Sequence, residues 1–214
     1  MAEVKIGFAT LNPSTGSGDA AVQVTGENYK GRNQRTVSAR VTAGSLTKDV
    51  VINQSGLAEY VTLDTTKAVA KEGGTITING TTNSSKLTFS LDGENAIELV
   101  LPGTYTAGGS STNNGEAIAD DPGASGEVTF SISFADIAVN ETVEAKVSTV
   151  KVVAEGGQEA TCTVTQAAGD PTLEVSPLTI TLNAAGDAQE LTINSNTNWT
   201  IAQVAGKIRN FFKK

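Results

Sequence analysis

The chain has no histidine, and that removes most of the acid–base chemistry that side chains offer near neutral pH. Ser–His–Asp and Cys–His nucleophile pairs, histidine general bases and histidine-ligated zinc all need an imidazole. The single cysteine, Cys162, lies in Thr161-Cys162-Thr163-Val164, in phase with Val164. It reads as a small core residue rather than a nucleophile without a base, and one cysteine permits no internal disulfide. Carboxylate pairs of the glycosidase kind remain open by residue type, but no acidic residue stands out. The segment from Asn113 to Pro122 holds oxygen donors of the kind calcium takes, without the regular spacing of a calcium loop. It reads as a solvated acidic loop or a partner contact. Aromatics are 5% of the chain, which leaves Tyr29 and Tyr105, both in predicted loops, as candidates to stack on a sugar ring. The expectation is no catalytic residue, no metal and no cofactor, so not an enzyme.

A second candidate lies at the C-terminus. Apolar residues Val204, Ile208, Phe211 and Phe212 recur in steps of four, three and one, with Lys207, Arg209, Lys213 and Lys214 around them. That spacing predicts a short basic amphipathic helix over 202–214. Val204, Lys207, Ile208, Arg209, Phe211 and Phe212 are the candidate docking residues, for a partner's groove or the chain's own body, with a membrane surface third.

The elements that must position these residues are strands. Thr, Val, Ser and Gly dominate, and period-two alternation recurs along the chain. Val22 and Val24 share a face. Val37, Ala39 and Val41 alternate with Ser38, Arg40 and Thr42, and after Ala43-Gly44-Ser45 the chain returns with Val50 and Ile52 inward, which predicts a hairpin. A second copy runs from Val147 to Ala154 and from Ala160 to Gln166. Both copies end alike, in Val51-Ile52-Asn53-Gln54-Ser55-Gly56 and Thr163-Val164-Thr165-Gln166-Ala167-Ala168-Gly169. Openings are duplicated too: Thr75-Ile76-Thr77-Ile78-Asn79 returns as Glu190-Leu191-Thr192-Ile193-Asn194.

The order is therefore the second half of a module (1–57), a complete module (58–169) with a long loop at 102–126, the first half of a module (170–201), and the tail (202–214). At 214 residues the chain has room for about two modules of roughly 100 residues. A half-module buries too little to stand alone. The two halves are expected to complete one another, with exchange between copies, or capping by another protein, favoured over closure within one chain. Trp199 is assigned to the core, as one Trp per sandwich module often is.

These residues carry a resemblance. Leu11 to Asp19, Asn28, Arg35 and Val50-Val51-Ile52-Asn53-Gln54-Ser55-Gly56 resemble the second half of a BACON domain, and Leu173 through Trp199-Thr200-Ile201 resembles the first half. With the copy at 58–169, the resemblance covers most of the chain. That copy departs from the pattern at Leu87-Thr88-Phe89, where Trp is expected. The resemblance implies an all-β fold of tandem immunoglobulin-like β-sandwich modules. It also implies the company such modules keep, proteins of Bacteroidetes and of the tailed phages that infect them. It brings no sugar site.

Net charge is −8, and with the four tail bases set aside the remainder has 11 basic against 23 acidic residues, or −12. An acidic body argues against nucleic acid, whose phosphates need a clustered basic face. No apolar run is long enough to cross a bilayer as a helix. Met1-Ala2-Glu3-Val4-Lys5 has no basic n-region or apolar h-region, so either the protein stays where it is made or a leader has been removed. The leading expectation is a phage virion structural protein, a head or tail decoration or fibre component, made in host cytoplasm and docked through its termini. Its expected partners are other virion proteins and copies of itself, with a host-surface glycan as a further contact. The alternative is a bacterial cell-surface carbohydrate-binding or adhesin module.

Overall fold

Alternation of apolar and polar side chains builds nearly every element of the computed structural model, which describes residues 2–203. In the N-terminal segment, β1 (Val4–Ile6), β2 (Ala9–Asn12) and β3 (Gln23–Gly26) form an antiparallel sheet in that order. β4 (Arg35–Ala43) and β5 (Leu46–Gln54) form a hairpin in unbroken register from Arg35 opposite Gln54 to Ala43 opposite Leu46. Two residues, Gly44 and Ser45, make its turn, and Gly44 supplies the positive φ of 60° that such a turn needs. The predicted hairpin is present with its predicted turn.

The central body comprises β6 (Val61–Leu63), β7 (Thr66–Val69), β8 (Gly74–Thr82), β9 (Leu87–Asp92), β10 (Thr104–Ala107), β11 (Ser110–Asn113), β12 (Val128–Ile137), β13 (Lys146–Ala154) and β14 (Glu159–Gln166). Two sheets form, one in the order β11-β10-β12-β8-β6 and one in the order β7-β14-β13-β9. Consecutive β6 and β7 join different sheets, β6 antiparallel to β8 and β7 parallel to β14, which ties the sheets together at that edge. One apolar core spans residues 61–164, with Ile78, Phe89, Ile132, Phe134, Val150 and Val164 among its best-buried members. Phe89 on β9 packs at 5.1 Å from the Tyr105 ring on β10 and 5.8 Å from Phe130 on β12, bridging the two layers. The architecture is all-β and sandwich-like.

Two expectations need correction here. The stretch 102–126 is not one long loop, because it contains the β10–β11 hairpin and a 3₁₀ turn at Pro122–Ala124. Tyr105, Ala107 and Thr112 face inward from that hairpin, and Gly108 and Gly109, both at positive φ, turn it. The glycines that read as loop composition are the turn of two short strands. The 3₁₀ turn is the only helical element among the described residues; of the tail helix expected over 202–214, residues 204–214 lie outside them.

In the C-terminal segment β15 (Leu173–Ser176) pairs with β16 (Thr192–Ser195). The second correction falls on Trp199, which is 51% exposed instead of filling a core. Among the described residues its segment has one pair of strands and no facing sheet, so alternation gives it an apolar side that no described residue of the segment covers.

Candidate functional site

The two terminal segments are held on the central body by built seams. At the N-terminal seam Arg32 pairs with Asp121 through two hydrogen bonds, Nη1 donating to Oδ1 at 2.7 Å and Nη2 to Oδ2, and Nη1 also donates to the Asn83 carbonyl at 2.9 Å. Asn83 is fully buried at the end of β8. Its Nδ2 donates to the carbonyls of Lys30 (3.1 Å) and Ala58 (3.2 Å), while its Oδ1 accepts from the Tyr60 amide (2.9 Å). Lys30 donates to both oxygens of Glu127, which also accepts from the Tyr60 hydroxyl. The Lys30 ammonium, and then the Tyr60 hydroxyl, hold the Glu127 carboxyl below its ordinary range, whereas burial, and then Glu127, push the Tyr60 phenol up. Gly123 packs flat on this joint, since a Cβ there would lie 2.2 Å from the Asn83 carbonyl oxygen.

The C-terminal seam lies at the other end of β8. Asn196 Nδ2 donates to the carbonyls of Glu141 (2.7 Å) and Asp170 (2.9 Å), its Oδ1 accepts from Thr172 N (2.9 Å), and Lys71 pairs with Asp170. Gly169 N donates to the Thr142 carbonyl at 2.7 Å.

Beyond the seams both segments present apolar side chains to solvent. Repeated geometry identifies what is missing. Arg35 opposes Gln54 in the β4–β5 hairpin as Lys146 opposes Gln166 in the β13–β14 hairpin. In both, the glutamine Nε2 donates to the carbonyl just past the neighbouring strand: Glu27 for Gln54 (2.6 Å), Ala138 for Gln166 (2.7 Å). In that frame Val41 and Val50 occupy the places of Val152 and Cys162. Val152 and Cys162 are fully buried, while Val41 is 56% and Val50 47% exposed. The C-terminal segment mirrors the opening of the body in the same way. Gly73 (φ 78°) donates to Ala70 and Gly186 (φ 75°) to Asn183, each at 3.0 Å. Leu63 opposes Gly80 as Leu173 opposes Ser195. Counted back from the glycine, Leu182 takes the place of Val69, four residues before Gly186 as Val69 is four before Gly73, and is 58% exposed where Val69 is buried.

The residues singled out from sequence fall as follows. Tyr105 is buried against Phe89, so its ring is not presented to a ligand, contrary to its expected loop position. Tyr29 is half-buried, donates to the Ala124 carbonyl, and lies 4.3 Å from the Arg35 guanidinium, which lies 4.4 Å from Phe8 as well. Tyr29 thus helps brace the N-terminal segment. Cys162 is buried, and burial pushes its thiol up to about 11, with Asp64 adding to the effect. In the acidic loop Asn114 pairs with both backbone groups of Phe89, and Asp121 is committed to Arg32. Among the described residues no three Asp, Glu or Cys side chains gather as a metal cluster. Val204, Lys207, Ile208, Arg209, Phe211 and Phe212 lie outside the described residues.

A shallow depression of about 600 Å³ on the outer side of the five-stranded sheet is lined by Thr62, Asp64, Asn79, Thr81, Thr129 and Ser131. Its polar groups already engage one another, Thr62 Oγ1 with Thr81 Oγ1 at 2.9 Å and Asp64 Oδ2 with the Asn79 amide at 3.0 Å. The open strand faces, not this depression, are the surfaces with unmet physical requirements. Compared with known proteins, the chain matches no family model and no curated protein.

Proposed function

We propose that the protein is a virion structural component of a tailed phage, a head or tail decoration or fibre part built from immunoglobulin-like modules of BACON type and docked through its ends. One observation carries the reading. Both terminal segments are anchored by seams of directed hydrogen bonds and ion pairs, yet each exposes an apolar strand face. Open strand edges with exposed valine, leucine and isoleucine invite pairing with another chain. Rigid seams beneath such edges suit an assembly part better than an enzyme pocket, since they hold a contact surface at a set position. The acidic composition keeps copies soluble before they assemble.

Purified particles test the proposal. An antibody to the central body should label intact virions, and quantitative mass spectrometry should find the chain at a fixed copy number per particle. Labelling confined to uninfected bacterial surfaces would overturn it in favour of a surface adhesin.

A further inference from the structure

We infer that a second copy of this chain closes each open end, residues 170–203 of one copy completing residues 2–57 of the next. The central body supplies the template for the fit. There β7 runs parallel to β14, pairing Thr66 with Thr163 through Val69 with Gln166, and β8 runs antiparallel to β12. Transposed through the two shared frames, Thr179 to Leu182 of the donor lies parallel to Val51 to Gln54 on the open edge of β5. β16 lies along the open edge of β3, with Leu191 and Ile193 beside Val22 and Val24. The stretch from Trp199 takes the place along β4 that β9 holds along β13.

A hydrogen bond marks the vacancy. Gln166 Nε2 reaches two carbonyls, Ala138 at 2.7 Å and Lys71 at 3.4 Å, and Lys71 follows β7. Gln54 makes the first of these bonds, to Glu27. The second acceptor corresponds to Ala184, two residues past Leu182 as Lys71 is two past Val69. The donor segment thus brings the apolar side chains and also the carbonyl that the acceptor's glutamine is placed to meet.

Geometry selects a second copy over the same chain, and charge selects the unlike half over the like one. The seams lie at opposite ends of the nine-residue β8, roughly 27 Å apart at about 3.4 Å per residue. Arg32 and Asn33 are tied to Gly123 and Ala124 at one end and Asn196 to Glu141 at the other, which holds the two segments at opposite ends of the body. Residues 2–57 carry six bases (Lys5, Lys30, Arg32, Arg35, Arg40, Lys48) against four acids (Glu3, Asp19, Glu27, Asp49), or +2. Residues 170–203 carry four acids and no base, or −4, the bases resuming at Lys207. Unlike halves attract and like halves repel. The contact is head-to-tail, so it propagates into a ring or a filament according to whether its rotation closes.

The inference rests on the proposed function only in treating the ends as contact surfaces, and the 214-residue chain tests it apart from any particle. Two variants are made, Val41→Asp/Val50→Asp, which spoils the acceptor, and Leu182→Asp/Ile193→Asp, which spoils the donor. Unreactive Cys162 in both reports that the central body is folded. The unmodified chain should grow in mass with concentration by light scattering, and its single tryptophan should shift to shorter wavelength as Trp199 is covered. Each variant alone should stay a monomer, and the two mixed should form a one-to-one pair that recovers about half of the Trp199 shift, since one of its two donor segments is docked. A monomer with unshifted Trp199 emission at every concentration would overturn the exchange, as would assembly of either variant alone. Monomeric chain still found in particles would leave the virion reading standing and this inference lost.

Discussion

Cys162 illustrates how one residue is read through its neighbours. A thiol fully buried between sheets, pushed up to about 11 by its surroundings, is a small apolar filler at neutral pH. The repeated hairpin carries Val50 at the equivalent register position, and valine is a branched hydrocarbon of similar size to the thiol side chain. Cys162→Val is expected to change unfolding free energy by less than about 1.5 kcal/mol. Cys162→Ser puts a hydroxyl where no partner stands and is expected to cost about 1–3 kcal/mol. Urea denaturation of both variants, followed by far-ultraviolet circular dichroism, separates them; equal losses would mean the thiol has a role beyond filling. Asn83 makes the opposite case. Its carboxamide meets the backbone at Lys30, Ala58 and Tyr60, and no apolar residue replaces that. Asn83→Leu should cost about 2–3 kcal/mol through the backbone groups it strands. It should also make residues 28–34 the first site of limited proteolysis.

At the scale of elements, the N-terminal seam should respond to acid before the core does. A carboxyl held below its ordinary value, 4.5 for Glu127, stabilises the fold fully above that value and loses the contribution as pH falls beneath it. Hydrogen exchange at the Arg32 and Asn33 amides, which donate to Gly123 and Ala124, should therefore accelerate below pH 4.5. After correction for intrinsic rates, strands β8 and β13 should stay protected. Equal loss of protection in seam and core would show that the segment and body open as one unit. None of these partners was legible in the sequence, because Arg32 and Asp121 are 89 residues apart and Lys30 and Glu127 are 97 apart, with no local pattern linking them. The β4–β5 and β13–β14 hairpins were legible, since alternation and a glycine turn are local signals. The β10–β11 hairpin was not. Its strands are four residues each, too short for a period to stand out from the Gly, Ser and Asn around them. Trp199 marks a different boundary. Alternation tells which side of a strand is apolar and leaves open which chain covers it.

For the whole molecule, the distribution of the core separates what folds by itself from what waits for a partner. All the members of the main apolar cluster lie between residues 61 and 164. Among the described residues the N-terminal segment adds only Phe8, Ala9 and Ala39 to the buried apolar set, and the C-terminal segment adds none. Residues 58–169 should therefore unfold cooperatively when expressed alone, with a midpoint close to that of the main transition of the full chain. Cutting the seams removes the Lys30 acceptor from Asn83, but it also opens that end of the body to water, which replaces the lost partner at modest cost. Within the fragment the sheets remain joined at β6 and β7, Gln166 keeps both its carbonyls, and every ring packed on Phe89 is retained. Urea unfolding of the fragment should give a single transition with a slope of about 1–3 kcal/mol per molar, and Cys162 should stay inaccessible to thiol reagent below it. A broad, non-cooperative transition, or a Cys162 that reacts in buffer, would mean that the terminal segments are part of the folding unit, not appendages held ready for another chain.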